Sequence, residues 1–194
     1  MSVAFVLGNG ISRRGLDLSA LQAIAPVYGC NALYREFTPN VLVATDRPIS
    51  EQIQKSGYPL KNRFYTRTPI AGLGAYPVIE QYWGFSSGPL AVAHAAADQY
   101  RKIYMLGFDM GPANDKFNNI YADTEFYKKS NSVPTFTGNW INQITQLAND
   151  YPSVEFIRVQ GETTADIPQL KTINNLKHLP ILEFQNRINN KKDL

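Results

Sequence analysis

Five short stretches carry residue types that could grip an anion or move a proton. The first is Gly8-Asn9-Gly10-Ile11-Ser12, directly after the apolar run Val3-Ala4-Phe5-Val6-Leu7. Glycine at 8 and 10 lets the backbone turn tightly and come close to a ligand. Amides of the loop and of a following helix start would then point at an anion, with Asn9 and Ser12 as added donors. The others are Asn31, just past Val27-Tyr28-Gly29-Cys30; Asp46, in Thr45-Asp46-Arg47-Pro48; Ser86-Ser87-Gly88, ahead of an alanine-rich run; and Asp109, in Gly107-Phe108-Asp109-Met110. Either aspartate could accept hydrogen bonds from ribose hydroxyls, hold the amino group of a base, or act as a general base. Either could equally serve as a helix cap or a turn. No Gly-Lys-Ser/Thr follows the first loop, so it is not a phosphate-binding P-loop, and the third glycine of the dinucleotide fingerprint is missing.

Positioning these groups requires an alternation of strands and helices. Short apolar runs at 3–7, 26–30, 41–44, 63–66, 103–107 and 154–159 read as strands, the first as one buried on both faces. Helical signals lie between them. Asp17 or Ser19 stands near a cap, and Pro48 suits a first turn ahead of Ile49 and Ile53. The run 90–100 should pack closely on the sheet, and 140–149 has helical spacing. Residues 167–170 and 176–188 look like short helical pieces. The expected fold is α/β, a three-layer Rossmann-like domain with a mostly parallel sheet spanning residues 1–194. If the strands are parallel, all five polar clusters meet at one edge, where open α/β sheets bind ligands. Residues 67–85, broken by glycine and proline, read as a long loop that is either functional or a cover over a sheet edge. Residues 113–138 are polar with several aromatics and are expected to be a mobile or ligand-ordered lid. The tail from about 160 to 194 would cover the sheet or form a subunit contact, leaving a homo-oligomer open.

Composition narrows the function. The net charge of +3 is mild and the basic residues are scattered apart from Arg187, Lys191 and Lys192, which argues against a nucleic-acid surface. The single cysteine, Cys30, excludes an internal disulfide and fits a reducing compartment, so a cytoplasmic location is expected. Neither a signal peptide nor a membrane span is visible, and the final Lys-Lys-Asp-Leu resembles a retrieval signal only loosely. His94, inside the alanine-rich run, reads as a packed core residue and His178 as a surface one. No His/Cys cluster offers a zinc site. Cys30 has no paired histidine and reads as buried, not nucleophilic. Trp83, Tyr82 and Trp140 could stack on a base or sugar, or simply pack.

Gly8-Asn9-Gly10-Ile11-Ser12, Cys30-Asn31, Ser86-Ser87-Gly88 and Gly107-Phe108-Asp109 resemble, in order and spacing, the motifs of the bacterial sialyltransferases of glycosyltransferase family 42. A similar layout occurs in the hydroxymethylpterin diphosphokinase-like relatives. The resemblance covers about residues 1–160. It implies a Rossmann-like fold that binds the cytidine nucleotide of CMP-sialic acid without an essential metal. Phosphate, ribose and donor contacts would fall on Gly8, Asn9, Gly10, Ser12, Asn31, Ser86, Ser87 and Gly88. Asp109 matches the family's acidic strand end, and Asp46 replaces a family asparagine. The catalytic half departs from the pattern. No histidine lies in 133–140, Gly84 takes the place of an arginine, and Gly111 that of a tyrosine. Tyr121 or Tyr127 would then be candidates for a phosphate-binding hydroxyl. The resulting expectation is a nucleotide-sugar-dependent glycosyltransferase-like protein using a CMP-type donor, with Asp46 and Asp109 as candidate bases. The alternatives are a non-catalytic nucleotide-binding or structural protein, and a diphosphokinase-like transfer from ATP, the one reading that calls for Mg²⁺.

Overall fold

A computed structural model describes residues 2–190. Lys191, Lys192 and the rest of the terminal Lys-Lys-Asp-Leu run lie outside the described residues. The strands are β1 (Val3–Leu7), β2 (Val27–Cys30), β3 (Val41–Val43), β4 (Phe64–Thr66), β5 (Tyr76–Pro77), β6 (Lys102–Leu106), β7 (Glu155–Gln160) and β8 (Leu176–Pro180). The helices are α1 (Leu18–Ile24), α2 (Arg47–Lys55), α3 (Ser87–Ala97), α4 (Gly138–Asp150), α5 (Pro168–Lys171) and α6 (Ile181–Asn190).

All eight strands run parallel in one sheet, in the order β5-β4-β3-β2-β1-β6-β7-β8. The chain winds outward from β1 to β5, then returns to pair β6 with the other side of β1. The order therefore reverses between β1 and β6, and a crevice opens beyond their carboxyl ends. The central strands are buried on both faces, and successive side chains enter opposite cores. Ala4 and Val6 of β1, with Ile103 and Met105 of β6, join α3, α4 and α5 in one core. Phe5, Leu7, Tyr104 and Leu106 face the opposite way, into a second core with α1, α2 and α6. The result is the Rossmann-like, three-layer α/β arrangement.

The helices form for local reasons that serve this arrangement. The Asp17 carboxylate accepts from the Ala20 amide at 3.0 Å and caps α1. In α2, Pro48 sits in the first turn, and Ile49 and Ile53 bury one stripe. Helix α3 is buried from Pro89 to Ala96, and its five alanines let it lie close against β1, β2 and β3.

Two elements differ from expectation. Residues 176–180 form strand β8, not the start of a helix; the helix begins only at Ile181. Leu176, Leu179 and Phe184 mimic helical spacing, yet Leu176 and Leu179 enter opposite cores from β8 and Phe184 is buried from the helix after it. The tail thus extends the sheet beyond β7, and Phe184 packs edge-on to Phe5, with ring centroids 5.9 Å apart. His178 lies half-buried in β8 rather than at a free surface. Residues 113–138 contain little regular structure before α4, but their first part is anchored. Ile120 N donates to Asn9 O at 2.8 Å, Ile11 N donates to Asn118 Oδ1 at 2.9 Å, and Tyr121 is buried. Val133 and Phe136 project into solvent. Among the described residues no helix is long and apolar enough to cross a membrane.

Candidate functional site

A cleft of about 320 Å³ opens at the β1/β6 reversal. Its floor is set by two strand-end loops pressed together. Gly8 N donates to Leu106 O at 2.8 Å, and Gly10 N to Gly107 O at 2.9 Å. A Cβ at Gly8 would stand 2.5 Å from Gly107 O, and one at Gly10 would stand 2.4 Å from Asp109 Cγ. The glycines are required first by this loop-on-loop contact. The absence of side chains there also keeps the floor open to a ligand.

Gly8, Asn9, Gly10, Asn31, Asp46, Ser86, Ser87, Gly88 and Asp109 all line the cleft. The exception is Ser12, which points behind it. The Ser12 amide donates to Asp109 Oδ2 at 3.0 Å, and the Ser12 hydroxyl donates to Asp109 Oδ1. Ser12 therefore supports Asp109 and leaves ligand contact to its neighbours.

Asp109 is correspondingly full. Besides Ser12, Asp109 accepts from Thr163 Oγ1 at 2.7 Å, Asn118 Nδ2 at 3.1 Å and Thr164 Oγ1 at 3.3 Å. Five donors on one carboxylate exceed its usual four lone-pair sites, so it has little capacity to take a proton from a substrate. Behind it, the fully buried Arg158 donates to Phe108 O, Ala165 O and Asp109 O at 2.8–3.0 Å. Burial pushes its pKa down to about 10, against the opposing pull of the Asp109 charge, so the guanidinium stays protonated at neutral pH. Asp46 is the opposite case: it is exposed, stands at the N-cap of α2, and makes no side-chain capping bond.

The start of α3 is braced from three directions. The Ser87 hydroxyl accepts from Thr45 N at 3.0 Å, and Ser86 Oγ accepts from Trp140 Nε1 at 3.1 Å. Ser86 N donates to Gln143 Oε1 at 3.0 Å. Both serine oxygens thus help to frame the helix, and the Ser86 hydroxyl keeps its proton to donate. What α3 offers the cleft is the first-turn N–H groups and the positive end of its dipole. Arg67 stands beside them. Its Nε donates to Trp83 O and its Nη2 to Phe85 O, both at 2.7 Å, with the guanidinium 5.3 Å from the Trp83 ring centroid. Arg67 is the one basic side chain among the described residues lining the cleft.

Two amide oxygens in the cleft are unspent. Asn9 Oδ1 and Asn31 Oδ1 are buried without a hydrogen-bond partner among the described residues. A buried polar atom without a partner is costly, and a ligand supplying donors would recover that cost. Asn31 also holds a left-handed backbone, φ +53°, a conformation asparagine tolerates better than most residues.

Other candidates lie elsewhere. The Tyr121 hydroxyl is not free for phosphate: it donates to Glu36 Oε1 at 2.5 Å and accepts from Arg13 Nη2 at 3.0 Å. Tyr127 Oη accepts from Ala32 N at 3.3 Å. Burial pushes the Cys30 thiol up to about 12, so it is not a thiolate at neutral pH. His94 is buried far along α3 against Tyr65, with ring centroids 3.9 Å apart. Gly111 presses on Ala165, where a Cβ would meet another at 2.5 Å, whereas Gly84 faces open space. Sequence reasoning missed Thr45, Arg67, Phe108 and Asn118. Arg67 carried a usable signal, being a cation in a glycine- and proline-broken stretch just after β4.

Neither a protein-family model nor a curated protein sequence matches the chain. Solved structures do. A variant of the sialyltransferase CST-II in complex with CMP superposes with a TM-score of 0.60 at 15% identity, covering 94% of this chain and 88% of that one. The sialyltransferase CstII from Campylobacter jejuni with CMP-3FNeuAc gives 0.53 at 16% identity over the same shares. With cytidine-5'-monophosphate it gives 0.50 at 16%, over 90% of this chain and 84% of that one. At this identity the likeness is one of fold.

Proposed function

We propose that the cleft binds a cytidine-type nucleotide sugar and that the chain transfers the sugar from it. The observation that carries this reading is the open first turn of α3 flanked by Arg67, facing the unspent amides of Asn9 and Asn31. A phosphate fits between a helix N-terminus and a guanidinium, and the asparagines suit the hydroxyls and amino group of a nucleoside. In fold, the chain is similar to structures that hold CMP.

In such a transfer the bond between the anomeric carbon and the phosphate oxygen breaks, and its electron pair stays on the phosphate. The α3 amides and Arg67 stabilise that charge as it develops. An acceptor hydroxyl forms the new bond to carbon and gives up its proton. Of the two candidate bases, Asp46 has the unoccupied carboxylate and takes the proton. Asp109 positions the first loop.

A second reading, a nucleotide binder without catalysis, is favoured by the absence of a histidine in 133–140 and by the glycines at 84 and 111. Transfer from ATP would require a divalent cation; with Asp109 filled, Asp46 is the one open carboxylate among the described residues lining the cleft, beside the amide oxygens of Asn9 and Asn31.

Isothermal titration with CMP, CDP, UDP, GDP and ATP, with and without Mg²⁺, decides among them. Metal-independent CMP binding, weakened in Arg67→Ala, with slow CMP-sugar hydrolysis that Asp46→Asn abolishes, is the expected result. Binding without hydrolysis leaves the non-catalytic reading. Binding of ATP alone, only with Mg²⁺, overturns the cytidine assignment.

A further inference from the structure

Beside the main cleft lies a smaller pocket of about 200 Å³, walled by Pro48 and Ile49 of α2 and by Phe126 and Tyr127 of the 113–138 segment. It shares Asn31 and Asp46 with the main cleft, so the two are contiguous across that pair. Its chemistry is one-sided. The polar groups on the shared rim are a carboxylate without a capping or ionic partner among the described residues and an amide oxygen without a donor. Neither nearby cation pairs with that carboxylate among the described residues. Arg47 pairs with Glu51 at 2.6 Å. Arg35 lies 5.9 Å from the Phe126 centroid and donates to Thr124 Oγ1 and Glu125 O.

Phe126 is the second observation. Its ring is exposed although its backbone holds φ +71°, a region costly for a bulky residue. The chain thus spends conformational strain to stand an aromatic face at the mouth of a pocket rimmed by acceptors. An aromatic face opposite hydrogen-bond acceptors suits a ring with apolar C–H faces and a hydroxyl edge.

We infer that this side pocket takes a neutral, hydroxyl-bearing sugar ring, stacked on Phe126 with hydroxyls donated to Asp46 and Asn31, and that it rejects sugar acids bearing a carboxylate. The inference rests on the proposed nucleotide-sugar reading and names its substrate class. The ring arrives either attached to the nucleotide or as the free acceptor. Asp46 repels a second carboxylate set directly against it in either case, because two anions at contact distance are unfavourable.

Titration calorimetry separates the sources. Each sugar nucleotide is compared with its own parent: CDP-glucose with CDP, and CMP-N-acetylneuraminate with CMP. A neutral free sugar, methyl β-galactoside, is titrated into CMP-saturated protein. Wild type should bind CMP-N-acetylneuraminate about tenfold more weakly than CMP. It should gain severalfold for CDP-glucose over CDP if the ring is the donor's, or bind methyl β-galactoside if the ring is the acceptor's. Asp46→Asn, an exposed change that leaves the fold intact, should abolish the penalty on CMP-N-acetylneuraminate with CMP affinity within twofold. Phe126→Ala should remove the neutral-sugar gain without altering CMP. Equal wild-type affinity for CMP and CMP-N-acetylneuraminate, or discrimination unmoved by both variants, overturns the inference while leaving nucleotide binding in place. If CMP and CDP themselves fail to bind, the nucleotide reading falls. Methyl β-galactoside titrated into ligand-free wild type and Asp46→Asn then tests the pocket: binding lost in the variant sustains it, and no binding ends it.

Discussion

Asp46 and Asp109 stand just past the ends of parallel strands, on the same cleft, yet their surroundings are opposite. Around Asp109 the chain has converged from three distant places: Ser12 from the first loop, Asn118 from the segment above, and Thr163 and Thr164 from beyond β7. Arg158 closes the region from below through three carbonyls. Around Asp46 nothing converges, and α2 leaves its N-cap carboxylate unused. A strand-end acid is therefore not one kind of thing. When donors from remote segments saturate it, it holds the architecture of a site. When it stays open, it is available to a ligand.

The sharpest way to break this contrast is to remove each carboxylate. Asp109→Ala strands five donors in a largely buried region and unties the first loop from the 113–138 segment. A loss of about 3–5 kcal/mol in urea unfolding is expected, since breaking one side of a buried charged network costs that much. Asp46→Ala should stay within about 0.5 kcal/mol, as surface changes without lost contacts do. Similar costs at the two positions would erase the distinction.

The sequence carried the central strands and the rim well, because buried parallel strands read as continuous apolar runs and their ends are marked by polar residues. The end strands did not read so clearly. Strand β5 is two residues, both exposed, too short for any period. In β8, Leu176 and Leu179 fall three apart because each is buried on a different face of the sheet, so the strand copies a helical interval just ahead of α6. The status of Asp109 was hidden for a different reason. Three of its five bonds come from residues 118, 163 and 164, and only the fold brings them there. Arg67 stood out as a cation in a broken stretch, but its place beside α3 was hidden, since its partners lie 16 and 18 residues away.

A second test sharpens the contrast by placing acid sensitivity elsewhere, at the far end of α3. There Tyr28 and Arg63 both hydrogen-bond Asp98, and burial pushes the His94 pKa down to about 4, against the opposing pull of Asp98. Between pH 4 and about 6.5 the unfolded chain holds a proton on this histidine that the folded chain lacks. Stability therefore rises with pH across that window and falls as the pH drops, by about 3 kcal/mol in full. Urea unfolding at pH 7, 5.5 and 4.5 should show this slope in wild type and Asp46→Asn alike. His94→Gln should flatten it.

On the ligand side the contrast predicts that groups facing the cleft cost affinity when removed. Arg67→Ala loses two hydrogen bonds to the Trp83 and Phe85 carbonyls but also the cleft's cation. About 10- to 100-fold weaker CMP binding is expected, as for a charge-assisted phosphate contact, with the salt dependence of binding reduced. If CMP affinity in Arg67→Ala stays within twofold of wild type, the phosphate lies elsewhere.

The smallest effect is also the most discriminating, because it sets two small polar side chains of the same rim against each other. Asn31→Ala removes an amide oxygen that has no partner among the described residues, so no side-chain hydrogen bond seen there is lost. The left-handed backbone at this position suits alanine less well, at about 1 kcal/mol. Nucleotide affinity should fall about fivefold. Ser12→Ala takes one hydroxyl contact from the Asp109 hub, leaves the backbone amide contact in place, and takes none from the cleft. Its cost should therefore appear in unfolding, at about 1–2 kcal/mol, with CMP affinity within twofold. Paired unfolding and titration measurements on the two variants distinguish the roles. If Ser12→Ala weakens CMP as much as Asn31→Ala does, the hub and the ligand rim are one unit, and Asp109 must act on the ligand after all.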